Sequence, residues 1–393
     1  MTAGAKRVHV IGAGISGLTT AWFLAERGAD VVVTDAASEP GGLIHTIELP
    51  EGLVETAART LTRTPRIDAL LRDLKIDVVT AAPSARRRYI HRNARSRRWP
   101  LSIAESGTAA WRVSRAWLRR DLRPRDTDTV EEWGDRIAGR AALEWLIAPG
   151  LQGVYASAAD VLSARAVFRA RMPRGEIVAP RRGMGALVRT LRQRLEARGV
   201  RFEFNRRETS IDADTPTAIC TDAPAAASLL ATRAPAVASA ISQIQLTTLR
   251  TVTAFFQPHH DDLRGFGVLF PRAGSIRALG VVFNADAFPD RSGCRSETWI
   301  YDGDGLCDNR AVVDAMTFDR SVFTSRPDTP LGDCLVPPLA EIPVYDHAVS
   351  RAIDIVDNAL PAGIALAGNY LGRLGVSKLV DGAAEAADRL TTT

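Results

Sequence analysis

The chain's opening strand runs straight into a glycine loop whose spacing leaves few folds open to the residues around it. Val8-His9-Val10-Ile11 reads as a short buried strand, and Gly12-Ala13-Gly14-Ile15-Ser16-Gly17 follows without a gap. Residues 18–27 read as a helix closed by Gly28, and Val31-Val32-Val33 as a second strand that delivers Asp35. In such a βαβ unit Gly12 makes the tight turn, Gly14 lets a pyrophosphate approach the backbone, and Gly17 lets helix and strand pack closely. The helix N-terminus adds free N–H groups and a positive dipole end. Asp35 lies 18 residues past Gly17, where a carboxylate can accept hydrogen bonds from ribose hydroxyls. The loop alone is a weak signal, since a glycine-rich turn that binds nothing is spelled the same way. Strand, helix, second strand and terminal acid together point to a bound dinucleotide.

Pro40-Gly41-Gly42 comes directly after this unit. In isolation it would read as an ordinary Pro-Gly turn. Placed behind Asp35, it resembles the second glycine pair that flavoproteins of the amine-oxidase type set against the far side of the FAD pyrophosphate. Nicotinamide enzymes do not usually carry that pair, so the resemblance implies FAD.

The 393 residues suffice for two domains and a sizeable core, and a hydrophobic content of 46% with 24% charged residues suits a folded soluble protein. Nothing before the first strand reads as a signal peptide, and no run approaches the roughly 20 apolar residues of a membrane span. Cys220, Cys294, Cys307 and Cys334 are scattered, which argues against a zinc site or disulfide framework and fits a reducing cytosol. No metal ligands are expected.

Charge is unevenly placed. Residues 86–125 hold thirteen arginines, no lysine, and only Glu105 and Asp121 as acids, within a chain of net charge +5, so the remainder is acidic. Trp99, Trp111 and Trp117 are interleaved with the arginines. A solvated basic face, a site for an anionic membrane surface or polyanionic substrate, and a nucleic-acid surface are the competing readings. No recognisable nucleic-acid module accompanies the charge, so nucleic acid is not expected as a partner.

Along the chain, residues 66–74 read as a helix and 77–79 as a strand. Residues 84–170 read as mostly helical and basic, with 133–147 the clearest helix. Met184, Leu187, Val188, Leu191 and Leu195 keep helical spacing up to Gly199, and Val200-Arg201-Phe202-Glu203-Phe204 follows as a strand. Residues 251–256, 278–283 and 298–301 alternate like strands of a substrate-binding sheet. Ile364-Ala365-Leu366-Ala367-Gly368 reads as a buried strand, followed by the glycine turn Gly372-Arg373-Leu374-Gly375-Val376 and a closing helix. That turn is either a plain strand–turn–helix or a helix N-terminus aimed at a flavin.

Several segments then match one family in order. Glu55-Thr56-Ala57-Ala58-Arg59, Arg88-Tyr89-Ile90 and Trp99-Pro100-Leu101 come first, followed by Gly153-Val154-Tyr155-Ala156 with Leu162-Ser163-Ala164-Arg165, and by Gly183-Met184 with Leu187-Val188. Gly265-Phe266-Gly267-Val268-Leu269-Phe270-Pro271 with Leu279-Gly280 and Phe288-Pro289, Ile342-Pro343-Val344-Tyr345 with His347, and Gly368-Asn369-Tyr370 to Val376 complete the series. The chain resembles the oxygen-dependent, FAD-containing protoporphyrinogen oxidases of the amine-oxidase superfamily. The resemblance implies an α/β two-domain flavoprotein. Residues 1–80, 172–223 and 340–393 would form a Rossmann-like FAD-binding domain, 84–170 a helical basic segment, and 224–339 an inserted sheet domain for substrate. It implies that Gly12, Gly14, Gly17, Asp35, Gly41 and Gly42 hold the adenosine diphosphate half of FAD, and that Met184, Gly375 and Val376 lie near its ribityl chain and ring. Arg59 would pair with a substrate propionate, and Phe266 and Leu269 would pack on the tetrapyrrole. The bland readings of these three are a surface salt bridge and core filling.

The implied reaction is hydride removal from a porphyrinogen, with O2 as acceptor and H2O2 as by-product, the flavin carrying the chemistry without a further catalytic side chain. The family's membrane-docking segment falls on the Arg/Trp-rich stretch, which implies a cytoplasmic protein peripheral to the membrane. Glu39, Ala57-Ala58, Ser377-Lys378 and a short 206–222 segment depart from the family pattern. They keep open an FAD amine oxidase or desaturase on another substrate, and a non-catalytic relative that binds tetrapyrrole or a partner. Protoporphyrinogen and coproporphyrinogen are not distinguished, nor is oligomeric state.

Overall fold

The computed structural model describes residues 6–169, 173–326 and 328–392. Two sheets organise it. The first is five-stranded and parallel throughout, in the order Arg201–Glu203, Asp30–Thr34, Arg7–Ile11, Thr217–Ile219, Ile364–Leu366. Unbroken apolar runs such as Val31-Val32-Val33 suit this sheet because helices cover both its faces. Helices Ile15–Glu26, Met184–Ala197 and Val376–Thr391 bury one face around Leu18, Trp22, Leu191, Val380 and Ala387. Helices Ala223–Leu230, Pro235–Ser242 and His347–Ala359 bury the other around Ile219, Ala226, Ile241 and Val349. The boundary expected at residue 224 therefore falls inside this layer. The two helices after it are short and alanine-rich, and nothing in their own pattern says which sheet they cover. The boundary expected between residues 170 and 172 lies outside the described residues. Strand Arg7–Ile11 has neighbours on both sides, and the glycine loop leaves its C-terminal end at the switch point of the strand order.

The second sheet has seven strands, in the order Ala340–Pro343, Leu246–Phe256, Arg295–Asp302, Gly280–Phe283, Gly267–Leu269, Arg88–Arg92, Arg95–Arg97. Neighbours are antiparallel except for Gly267–Leu269 beside Arg88–Arg92. The last two strands come from the stretch expected to be helical. In Arg88–Arg92 only Ile90 is fully buried, so the period-two signal is one residue deep and the arginines obscure it. At the opposite edge Ala340–Pro343 pairs with Leu246–Phe256, so the chain returns to the parallel sheet only after Pro343. The single helix expected over 133–147 is also broken. Val130–Ala138 ends at Gly139, whose φ of +88° suits only glycine, and Arg140–Ala142, a π-helical turn at Leu143–Ile147 and Ala148–Tyr155 follow.

Strand alternation assigns the two faces of the second sheet. Val252, Ala254, Phe256, Trp299 and Tyr301 pack under helix Asn309–Thr324 with Val312 and Met316. Glu297 lies on the same face and is fully buried. It accepts hydrogen bonds from Arg295 Nε at 2.8 Å, Arg320 Nε at 3.0 Å and Trp299 Nε1 at 3.1 Å. The arginines also stack on aromatic rings, Arg320 over Phe256 at 3.5 Å and Arg295 over Phe283 at 4.0 Å. Breaking such a buried pair takes the shortest carboxylate contact from Arg295, leaving it Asp262 and Asp286 at 3.9 and 3.8 Å, and leaves Arg320 with Asp328 alone, which costs about 3–5 kcal/mol. Glu297→Ala should lower the free energy of denaturant unfolding by that amount. A loss under about 1 kcal/mol would show that the network does not hold this face together.

Candidate cofactor and substrate site

The glycine loop is held by Asp35. Ala13 N–H donates to Asp35 Oδ2 at 2.6 Å and Ala37 N–H to Oδ1 at 2.7 Å, tying the loop to the end of the second strand. Each oxygen keeps a lone pair for a further donor. A Cβ at Gly12 would stand 2.7 Å from the Cys220 carbonyl oxygen, and one at Gly17 would stand 1.7 Å from that of Gly12. Those two glycines are demanded by the protein itself. Gly14 differs, because a Cβ there would meet nothing within 4 Å. The second glycine segment lies alongside: Gly41 N–H donates to Ala13 O at 2.9 Å and Gly41 bridges to Gly14. Helix Ile15–Glu26 begins at Gly14 with no side-chain cap. Bare backbone, a positive helix end and an open space over Gly14 fit a dinucleotide pyrophosphate.

A second convergence lies where the two sheets meet. Met184 is fully buried at the start of helix Met184–Ala197, and its N–H donates to Glu55 Oε1 at 3.0 Å. Gly375 precedes the last helix, and Val376 shares one core with Met184 and Ala58. The Ser377 hydroxyl accepts from Thr62 N–H at 3.1 Å and donates to Thr62 O at 2.8 Å. That pair fastens the segment after Arg59 to the first turn of the last helix. Arg59, Met184, Gly375 and Val376 are thus brought to one place. Of the departures noted in the sequence, Glu39 is exposed, and Lys378 lines a groove with Arg373 and Glu385 beside the last helix.

Beside this junction a narrow cavity of about 30 Å³ is lined by Glu55, Arg59, Phe266, Asn284, Phe288 and Arg291, among others. Leu269 is not among its walls. It packs against Gly153, where a Cβ would come within 2.6 Å of it, and faces Gly280 across the ladder. The glycine that makes room for Leu269 is 116 positions away in sequence, so no local pattern distinguishes the two roles. Glu55 accepts from Thr46 Oγ1 at 2.7 Å and from Arg291 Nη1 at 3.3 Å. Burial raises its pKa, against the pull of these donors and of Arg59. Burial likewise lowers Arg291, and it lowers Arg59 to about 10, which leaves Arg59 charged at neutral pH. Arg59 Nη1 reaches Ala57 O at 3.3 Å, while Arg59 Nη2 and Arg291 Nε are shielded from solvent without a hydrogen-bond partner. Two half-buried cations facing one carboxylate leave an excess positive charge and solvent-shielded, unused donors, the chemistry of an anion site. Glu55 and Phe288 fall within the family-like segments, but nothing local in those segments marks either as a cavity residue. Arg291, two residues past Pro289, carried no signal of its own.

Residues 15–293 match the model of flavin containing amine oxidoreductases. Protoporphyrinogen oxidase 2, chloroplastic/mitochondrial, of Arabidopsis thaliana is 25% identical over an alignment covering 98% of this chain and 93% of that protein. Protoporphyrinogen oxidase of Homo sapiens is 23% identical over 73% of this chain and 75% of its own length. Among solved structures, putrescine oxidase bound to putrescine matches with a TM-score of 0.75 at 15% identity over 99% of both chains. Reduced UDP-galactopyranose mutase matches with a TM-score of 0.75 at 13% identity, over 99% of this chain and 96% of that one. These structural neighbours carry the same fold. With an open, uncapped dinucleotide cradle and a family match across most of its length, the chain belongs to the flavin-containing amine oxidoreductases and is an FAD-dependent oxidoreductase.

Proposed function

We propose that the chain oxidises a porphyrinogen, protoporphyrinogen IX or coproporphyrinogen III, to the porphyrin, with dioxygen as acceptor. The observation that carries this reading is the buried, unpartnered Nη2 of Arg59 in a cavity that also holds Phe266 and Phe288. A guanidinium recognises a carboxylate and the aromatic rings recognise apolar pyrrole rings, the two components of a macrocyclic propionate. Similarity to protoporphyrinogen oxidases along nearly the whole chain supports it.

In this reading Gly12, Gly14, Gly17, Asp35, Gly41 and Gly42 hold the adenosine diphosphate half of FAD, and Met184, Gly375 and Val376 its ribityl and ring end. When bound, FAD would supply the two-electron acceptor for hydride removal, and three such rounds, each reducing one dioxygen to hydrogen peroxide, take the porphyrinogen to the porphyrin. The protein orients and desolvates. Arg59 fixes one carboxylate, Glu55 holds Met184 N–H and Arg291 in place, and the burial of Glu55 and Met184 excludes water from the junction. The cavity is far smaller than a macrocycle, and Phe266 packs in one small cluster with Phe288. Substrate entry therefore requires Phe266 to swing away from Phe288, and Leu269 stays with Gly153 as wall support.

A membrane surface is the partner we propose for helix Ile103–Leu118. It begins with a capping box at Ser102 and Glu105, and only Ala116 is buried along it. Ile103 is 94% exposed, Trp111 60%, Trp117 66% and Leu118 74%. At 100° per residue these four fall within an arc of roughly 120°, with Arg115 at its edge and Arg112 and Arg119 on the opposite face, where Arg112 donates to Asp135 O; an exposed apolar arc beside a basic one is the layout of an interfacial helix. No helix among the described residues is long and apolar enough to cross a membrane.

Anaerobic addition of protoporphyrinogen or coproporphyrinogen to the holoenzyme should bleach the flavin band, with recovery in air. A flavin band that neither substrate bleaches would sink the porphyrinogen reading while leaving the cofactor in place. Gly14→Ala should fold with a thermal midpoint near that of the wild-type apoprotein, a lost glycine N-cap costing at most about 1 kcal/mol, yet retain little flavin. Gly17→Ala should fail to fold stably at all. Equal flavin content in Gly14→Ala and wild type would place the pyrophosphate elsewhere. The wild-type chain should co-sediment with phosphatidylglycerol vesicles more than with phosphatidylcholine, and Trp111→Ser/Trp117→Ser should lose about tenfold in partitioning. Unchanged partitioning of that double variant would remove helix Ile103–Leu118 from the interface.

A further inference from the structure

Arg88 has no part in the site described above, yet it touches that site. Its guanidinium carbon stands 4.9 Å over the ring of Phe266, the aromatic wall of the cavity that holds Arg59. The register explains the contact: Arg88 is the Cα partner of Gly267 across the parallel ladder, and Phe266 N–H donates to Arg87 O at 2.8 Å. Among the described residues Arg88 is exposed and has no carboxylate partner, and Arg86 and Arg87 beside it are exposed as well. The acid in this neighbourhood, Asp286, is already engaged by Arg264 Nη1 at 3.0 Å and by Gly265 N–H at 2.9 Å. Phe266 thus borders two cations, the half-buried Arg59 that lines the cavity with it and the exposed Arg88 that rests on its ring.

We propose that Arg88 is a second substrate-binding residue, and that the site takes a macrocyclic substrate with carboxylates around its rim, one on Arg59 and a further one on Arg88, with Phe266 in contact with the ring. A guanidinium stacked on an aromatic face keeps its planar fork of N–H donors at the ring edge, preorganised for a carboxylate arriving along that face. When Phe266 swings from Phe288, the cation resting on it lies at the opening through which the substrate passes. The geometry favours a substrate bearing several carboxylates over one bearing few, because each further carboxylate finds Arg86, Arg87 or Arg88 rather than an acid. Glu55, the carboxylate inside the cavity, does not oppose this, since Met184 N–H, Thr46 and Arg291 already surround it.

This assignment rests on the porphyrinogen reading, and binding of the porphyrin products separates the two. The holoenzyme is titrated with coproporphyrin III, protoporphyrin IX and coproporphyrin tetramethyl ester, followed by the porphyrin absorption band. Arg88→Ala should weaken coproporphyrin binding about tenfold, leave tetraester binding unchanged, and flatten the salt dependence of the free acid; Arg88→Lys should recover part of the loss. Arg310→Ala, which removes the same charge from an exposed helix position on the far face of the second sheet, should change none of these. The thermal midpoint of Arg88→Ala should stay at the wild-type value, since the residue is exposed. Free acid and ester binding to Arg88→Ala as tightly as to wild type would overturn the assignment while leaving the porphyrinogen reading intact. Wild type that binds none of the three porphyrins would overturn both.

Discussion

Glu55 is the carboxylate on which the two halves of this protein close. It ends a short strand, accepts the N–H of Met184 from a helix packed on the parallel sheet, and pairs with Arg291 from the turn that precedes strand Arg295–Asp302 of the second sheet. In a low-dielectric junction each of these bonds is strong, and each becomes a liability if its partner is removed. The burial that strengthens the contacts also raises the pKa of Glu55 and lowers those of Arg59 and Arg291. The pKa of about 10 for Arg59 leaves it charged at neutral pH. A charged group with one donor shielded from solvent and unused is a preorganised receptor, because the desolvation of that donor was completed during folding.

The second sheet supplies the rest through alternation. Val281 and Phe283 point into the core under helix Asn309–Thr324, while Val282 between them lines the cavity. Ser296 likewise lines the cavity, and Glu297 beside it is locked into the arginine network on the opposite face. A slip of one residue would exchange the two sets, so the buried network also pins the register that builds the substrate wall.

Much of the dinucleotide half was legible because its constraints are local. Gly12 and Gly17 are required by contacts within a few residues or across one ladder, and Asp35 reaches the loop because the unit has a fixed length. Met184 and Val376 were likewise readable, since each opens a helix behind a glycine. The substrate half was less legible. Phe266 and Leu269 sit three residues apart in one motif, yet one lines the cavity and the other packs on Gly153. Arg88–Arg92 was hidden as a strand because its arginines mask the alternation, and Gly139 broke a helix that periodicity alone would have continued.

By itself, then, the amino-acid sequence determined the βαβ cradle, the second glycine pair, and the presence of an arginine-rich stretch with interleaved tryptophans. Their physics acts over a few residues: steric room at glycine, helix ends, and the reach of one carboxylate. Only the tertiary structure decided that Arg59 and Arg291 share one dry cavity with Glu55, that Leu269 lies outside it, and that Arg88 rests on Phe266. Those facts depend on strands more than 170 residues apart lying side by side in one ladder, and burial and charge pairing across such distances are set by the fold as a whole.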